Sequence, residues 1–172
     1  FTAGGTESDN LAVKGLYWAR RARDPRHVRI LTSAVEHHAL IDPLMWLGQA
    51  DSAQICQVGV DSAGRLDLDE LAEHITHDPT SIAAISIMLA NNEVGTVQPL
   101  AEVVAMAKVH DIPVHTDAVQ AVGQLDVNFG ELGVSAMSIS AHKLGGPTGI
   151  GALILGRAVE PTPILHGGGQ ER

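Results

Sequence analysis

Leu11, Gly15, Trp18, Ala19 and Ala22 fall three or four residues apart, the period of a helix with one face on a core. They predict a helix over residues 7–23 that stops in the turn at Asp24-Pro25. A short β-rich run at 28–31, a helical stretch at 40–48 and a strand at 55–60 follow. Residues 66–75 alternate as an amphipathic helix, with Asp67 or Asp69 in the first turn where the helix dipole favours anions. Residues 82–88 form a nearly unbroken apolar run, the pattern of a strand covered on both faces. Beyond it the chain predicts a helix at 100–110 and strands at 112–115, 135–139 and 151–155. Strands separated by helices with short connections imply an α/β fold: a mainly parallel sheet with helices on both faces. No internal repeat or linker divides the chain, so residues 1–172 read as one domain.

In such sheets chemistry collects beyond the carboxyl ends of the strands. Here polar residues stand at four of those ends: Glu36-His37-His38, Asn91-Asn92-Glu93, Thr116-Asp117 with Gln120, and Ser140-Ala141-His142-Lys143. This is the strongest functional signal that the residues give by themselves.

Charge and composition narrow the partners. Eleven Lys+Arg stand against 20 Asp+Glu, a net charge of −9, which argues against nucleic acid. At 45% hydrophobic and 18% charged, the chain has the composition of an ordinary folded domain. The apolar run near residue 85 is too short to span a bilayer, and no signal peptide is visible. A single cysteine, Cys56, points to a cytoplasmic location. Phe1 is no initiator Met and the last residues stop inside His166-Gly-Gly-Gly-Gln-Glu-Arg172, so the sequence reads as a piece of a longer protein.

Each candidate group has a plain reading and a chemical one. Gly4-Gly5-Thr6-Glu7-Ser8-Asp9 is a helix start, with Thr6 as N-cap and Asp9 as its capping-box partner, or a phosphate cradle of free N–H groups and the Thr6 hydroxyl. It is not a P-loop, because no Gly-Lys-Ser/Thr follows. Lys143 is a turn lysine or an imine-forming amine held among Ser140 and His142. Asp117 is a cap carboxylate or a buried anion facing a pyridinium nitrogen. His37 and His38 point to opposite faces of an extended segment and share no ion easily, and no metal-binding spacing occurs, so no metal is expected. Cys56, between Ile55 and Val58, reads as a buried, inert thiol. Gly133-Val-Ser135 begins a hydrolase elbow but has Met137 where the closing glycine belongs.

Taken in order, Gly-Gly-Thr-Glu-Ser-Asp-Asn, Glu-His-His, Asn-Asn-Glu-Val-Gly, His-Thr-Asp-Ala-Val-Gln and Ser-Ala-His-Lys resemble the class V aminotransferase family. Within it, Asn-Asn-Glu-Val-Gly and His-Gly-Gly-Gly-Gln-Glu are similar to the cysteine desulfurases of the NifS/IscS type. The resemblance implies the large domain of a fold type I enzyme dependent on pyridoxal 5′-phosphate (PLP). It implies that Lys143 forms an imine with the cofactor, that Asp117 pairs with its ring nitrogen and that His37 stacks on the ring and assists proton transfer. Asn92 and Gln120 would bond near the phenolate oxygen or the substrate. Gly5, Thr6, Ser140 and His142 would hold the phosphate, with Ala141 contributing backbone.

The reaction so implied converts L-cysteine to L-alanine and leaves sulfur as a persulfide on an enzyme cysteine, for iron–sulfur clusters or another sulfur carrier. A homodimer and a sulfur-accepting or scaffold protein are the implied partners. Cys56 matches no acceptor position, so the acceptor cysteine, the substrate-binding arginine and the small domain are expected after Arg172, and this chain alone is expected to be inactive. The alternatives are a selenocysteine lyase, an aminotransferase of the same class, or a phosphate-binding module without catalysis.

Overall fold

The computed structural model describes residues 1–168. The Gln-Glu end of the glycine-rich motif, in residues 169–172, lies outside the described residues. Helix α1 (Gly5–Arg23) leads to β1 (Arg29–Ser33), α2 (His38–Ala50) and β2 (Gln54–Val58). Then come α3 (Leu68–His77), β3 (Ile82–Ser86), α4 (Leu100–Lys108) and β4 (Val114–Asp117). The chain continues through α5 (Phe129–Leu132), β5 (Ala136–Ser140), a 3-10 turn (Ala141–Leu144) and β6 (Gly151–Leu155). The expected α/β architecture is present, and boundaries differ mostly by a residue or two.

The sheet runs β2-β1-β3-β4-β5-β6. Its first five strands are parallel, and β6 pairs antiparallel with β5. Neighbouring residues on a strand face opposite sides, so one strand feeds two cores. On β1, Ile30 packs with Leu40, Leu44 and Leu47 of α2 and with Val13 and Tyr17 of α1, while Leu31 packs with Leu71 and Ile75 of α3 and Val103 of α4. Helices therefore cover both faces. On β3, Ile82 pairs with Arg29 and Ala84 with Ile30, so Ala83 is an inserted bulge residue.

Local chemistry sets the helix starts. Asp67 caps α3, its carboxylate accepting from the N–H groups of Asp69 and Glu70. His37 caps α2, where Nδ1 accepts from Ala39 N at 3.1 Å. The expected capping box on α1 is not formed. Gly4 is the N-cap and makes no side-chain cap bond, Thr6 lies inside the helix, and Asp9 is buried against the sheet. The Cys56 expectation needs the same kind of correction. β2 is an edge strand whose Gln54 and Gln57 are exposed, so Cys56 is only half-buried.

Candidate active site at the carboxyl ends of the strands

Because β1, β3, β4 and β5 run parallel, their carboxyl ends lie along one edge of the sheet. That edge receives Glu36 and His37 after β1, Asn91 and Asn92 after β3, Asp117 to Gln120 at the end of β4, and Ser140 to Lys143 after β5. The start of α1 reaches the same edge. A Cβ at Gly5 would stand 2.8 Å from Val119 Cγ2, and one at Gly4 would stand 3.8 Å from Ser140 Oγ. Gly151 is packed more tightly still, with its Cβ position 2.7 Å from Gly4 Cα. Glycines at 5 and 151 thus let the first turn of α1 settle onto the ends of β4 and β5.

At this edge the sequence candidates separate into a buried floor and an exposed rim. Asp117 is 6% exposed, and its Oδ1 accepts from Val119 N at 2.8 Å. Burial pushes its carboxyl up from the ordinary value, the Val119 N–H opposes this, and nearby His37 also pulls it down. Thr6, His37, Asn92, His142 and Lys143 are exposed, and Gln120 and Ala141 are half-buried. Ser140 is buried, with its hydroxyl 2.8 Å from Nδ1 of His142. Lys143 stands on the 3-10 turn, at an open edge rather than in a closed cleft. The neighbouring Asn91 closes the turn after β3, its Oδ1 accepting from the N–H groups of Glu93 and Val94.

The residue patterns concealed a polar layer behind the floor. His115 and Asp117 lie two apart on β4 and so share the face that meets α1. Ser86 on β3 and Ser138 on β5 flank them and are fully buried. His115 Nδ1 is 2.8 Å from Ser86 Oγ, and Nε2 is 2.9 Å from Ser138 Oγ. Burial drives its imidazole down to about 3, so it is neutral at ordinary pH. Asp9 of α1 places Oδ1 3.7 Å from His115 Nε2. Glu36 completes the layer, accepting from Ser33 Oγ at 2.6 Å and from Met88 N at 2.9 and 3.1 Å. Serine and histidine at alternate positions of otherwise apolar strands were the available signal.

These residues suit a ligand with a cationic ring nitrogen at one end and a dianion at the other. Asp117 is a buried carboxyl that pairs with no Lys or Arg among the described residues, and a cationic ligand group would be its natural partner. The first N–H groups of α1 carry no side-chain cap, and the helix behind them is 19 residues long. Glu7 is the one opposing charge in that first turn, and it is engaged with Ala3 N at 2.8 Å. A cavity of about 390 Å³ lies elsewhere, at the opposite edge between Leu16, Arg20, Lys108 and Val159, and has no part in this site. Among the described residues, no group of three or more His, Cys, Asp or Glu could hold a metal ion, and no helix is long and apolar enough to cross a membrane.

One edge of the mainly parallel sheet thus gathers a lysine, an aspartate and an uncapped helix start. The family model described as aminotransferase class-V matches residues 1–172, and the chain belongs to that family. Among its relatives is an IscS-like cysteine desulfurase of Mycobacterium tuberculosis (strain ATCC 25618 / H37Rv), 51% identical across 100% of this chain and 44% of its own length. Cysteine desulfurase IscS of Methanosarcina thermophila is 44% identical, again across 100% of this chain, and is covered over 41% of its length. A solved structure called a NifS-like protein superposes with a TM-score of 0.89 at 36% identity, over 98% of this chain and 45% of that one. Another, described as SspA in complex with cysteine, gives 0.87 at 36% identity, over 98% and 47%. The chain spans less than half the length of these relatives.

Proposed function

We propose that the whole protein is a PLP-dependent cysteine desulfurase, and that residues 1–172 form its large, cofactor-binding domain. The observation that carries this reading is Asp117, buried without a cationic partner, beside a strand end that delivers Ser140, His142 and Lys143. The cysteine bound in the SspA structure supports L-cysteine as the substrate class.

The cofactor, when bound, supplies an electron sink for a carbanion at the substrate Cα. Lys143 would anchor it through Nζ, and the same amine would move the proton at that carbon. Asp117 keeps a proton on the ring nitrogen by offering it a buried carboxylate. His37, fixed as the N-cap of α2, presents its ring at the rim beside Asp117. The free N–H groups of Gly5 and Thr6, with Ser140 and His142, receive the phosphate, while Ala141 adds backbone. Asn92 and Gln120 would orient the phenolate oxygen or the substrate.

The products are L-alanine and a persulfide on an acceptor cysteine other than Cys56, which lies on β2 at the far edge of the sheet. Sulfur would pass on to a scaffold or carrier protein for iron–sulfur clusters, in the cytoplasm, from a homodimer. The decisive experiment is borohydride reduction of the full-length protein loaded with PLP, followed by mass spectrometry. A reduced adduct on Lys143 is the expected result. An adduct on another lysine, or phosphate-competitive binding with no adduct at all, would refute the assignment.

A further inference from the structure

Three carboxyl groups lie in the polar layer: Asp9 at 0%, Asp117 at 6% and Glu36 at 7% exposure. Among the described residues no lysine or arginine pairs with any of them, and His115 between them is desolvated into its neutral form. Three anions in such a space would each bear the cost of leaving water, as well as their mutual repulsion. The layer has room for one negative charge. Proposed chemistry assigns that charge to Asp117, because only there does a ring N–H arrive to neutralise it. Glu36 accepts three hydrogen bonds, which ease its burial. Asp9 accepts none: both of its oxygens are buried and lack a hydrogen-bond partner.

On the geometry of this layer, and resting on the PLP reading of Asp117, we propose that Asp9 is a positioning residue. Its carboxyl carries a proton and packs 3.7 Å from the His115 that links Ser86 and Ser138, so that Asp117 remains the lone anion of the layer. Desolvation and the nearby Asp117 and Glu36 charges all favour the neutral form of Asp9, with only the Ser138 hydroxyl acting the other way. The other titratable groups at this edge are His37, His142 and Lys143, all at the exposed rim, with His37 acting on Asp117. The sheet neighbours of Asp9 on β3, β4 and β5 are Ser86, His115, Asp117 and Ser138, so none brings a permanent positive charge.

Infrared spectroscopy of the full-length apoprotein reads this directly. At about pH 7, far above the ordinary aspartate range, the wild type should show carboxylic-acid carbonyl absorption from which Asp9→Asn removes one component and Glu36→Gln a different one. A difference spectrum of wild type minus Asp9→Asn with no carboxylic-acid component, measured in the Glu36→Gln background as well, would overturn the proposal. The second arm is PLP affinity. Asp9→Asn, which mimics the protonated acid, should stay within about twofold of wild type, whereas Asp9→Leu should weaken binding roughly tenfold. Equal affinities in the two variants would also overturn the positioning role. If Asp9→Leu fails to fold, the infrared comparison decides alone. A protein that passes the infrared arm yet forms no adduct at Lys143 would refute the PLP reading and leave the proton on Asp9 standing.

Discussion

Replacing Glu36 with glutamine should change how stability depends on pH, and the structure gives both the sign and the size. Burial raises this carboxyl from an ordinary 4.5 to about 8. A group raised on folding contributes stability that is complete below its unfolded value and is lost as pH climbs through its folded value. At roughly 1.4 kcal/mol per pH unit, the loss between those limits is about 5 kcal/mol. His115 has the opposite slope. Its imidazole falls from 6.5 to about 3, so its contribution is complete above 6.5 and is lost as pH falls. The two slopes cancel between 4.5 and 6.5, and from 6.5 to 8 only the loss from Glu36 and the other raised acids remains.

Glutamine keeps one oxygen to accept from Ser33 Oγ and Met88 N but sets an amide where Oε2 accepted from Met88 N. That costs about 1–3 kcal/mol at every pH. The offset is constant, so the diagnostic quantity is the wild-type minus variant difference as pH rises. Urea unfolding of the full-length apoprotein at fixed ionic strength should show this difference shrinking by about 5 kcal/mol from pH 4.5 to 8. Parallel curves for the two proteins would refute the buried, proton-bearing Glu36.

Lys143→Ala should abolish the visible absorption of the PLP-loaded protein, while Lys14→Ala and Lys108→Ala, on helices away from the strand ends, should retain it. Asp117→Ala should keep part of its PLP but lose cysteine turnover by several orders of magnitude, since an unprotonated ring is a poor electron sink. Near-normal turnover would make Asp117 a purely structural residue. Gly151→Ala puts a methyl 2.7 Å from backbone at Gly4, which cannot swing aside, and should cost about 1–3 kcal/mol by thermal unfolding and weaken PLP binding. Cys56→Ala should cost under about 1 kcal/mol, because the residue is half-buried on an edge strand, and should leave sulfide release within a few-fold of wild type.

The regular part of this fold was legible because periodicity reports how each element is buried. Residues 82–88 read as a strand covered on both sides, and β3 is buried throughout between the two helical layers. What periodicity could not show was position within the sheet. Cys56 read as buried, but β2 lies at an edge and leaves it half-buried, and only pairing distinguishes an edge strand from a central one. The short α5 and the 3-10 turn carrying Lys143 were missed for another reason: four residues are too few to display a helical period.

The polar residues divide in the same way. Rim candidates such as His37, His142 and Lys143 stood out because polar residues right after apolar strands have few structural reasons to be there. Asp9 had an ordinary explanation in the sequence, as a capping partner, and Glu36 was read as one of the polar residues after the first strand. Each explanation was local, whereas the actual partners lie far along the chain. Asp9 meets His115, His115 joins Ser86 and Ser138, and Glu36 reaches Met88. Only a parallel sheet with α1 folded back on it brings these groups together. The same crossing sets the energetics, since α1 seals the layer from water and so leaves its acids without solvent. On the proposed reading, in which Asp117 is held charged, its neighbours must be neutral, and burial pushes Asp9, Glu36 and His115 in that direction.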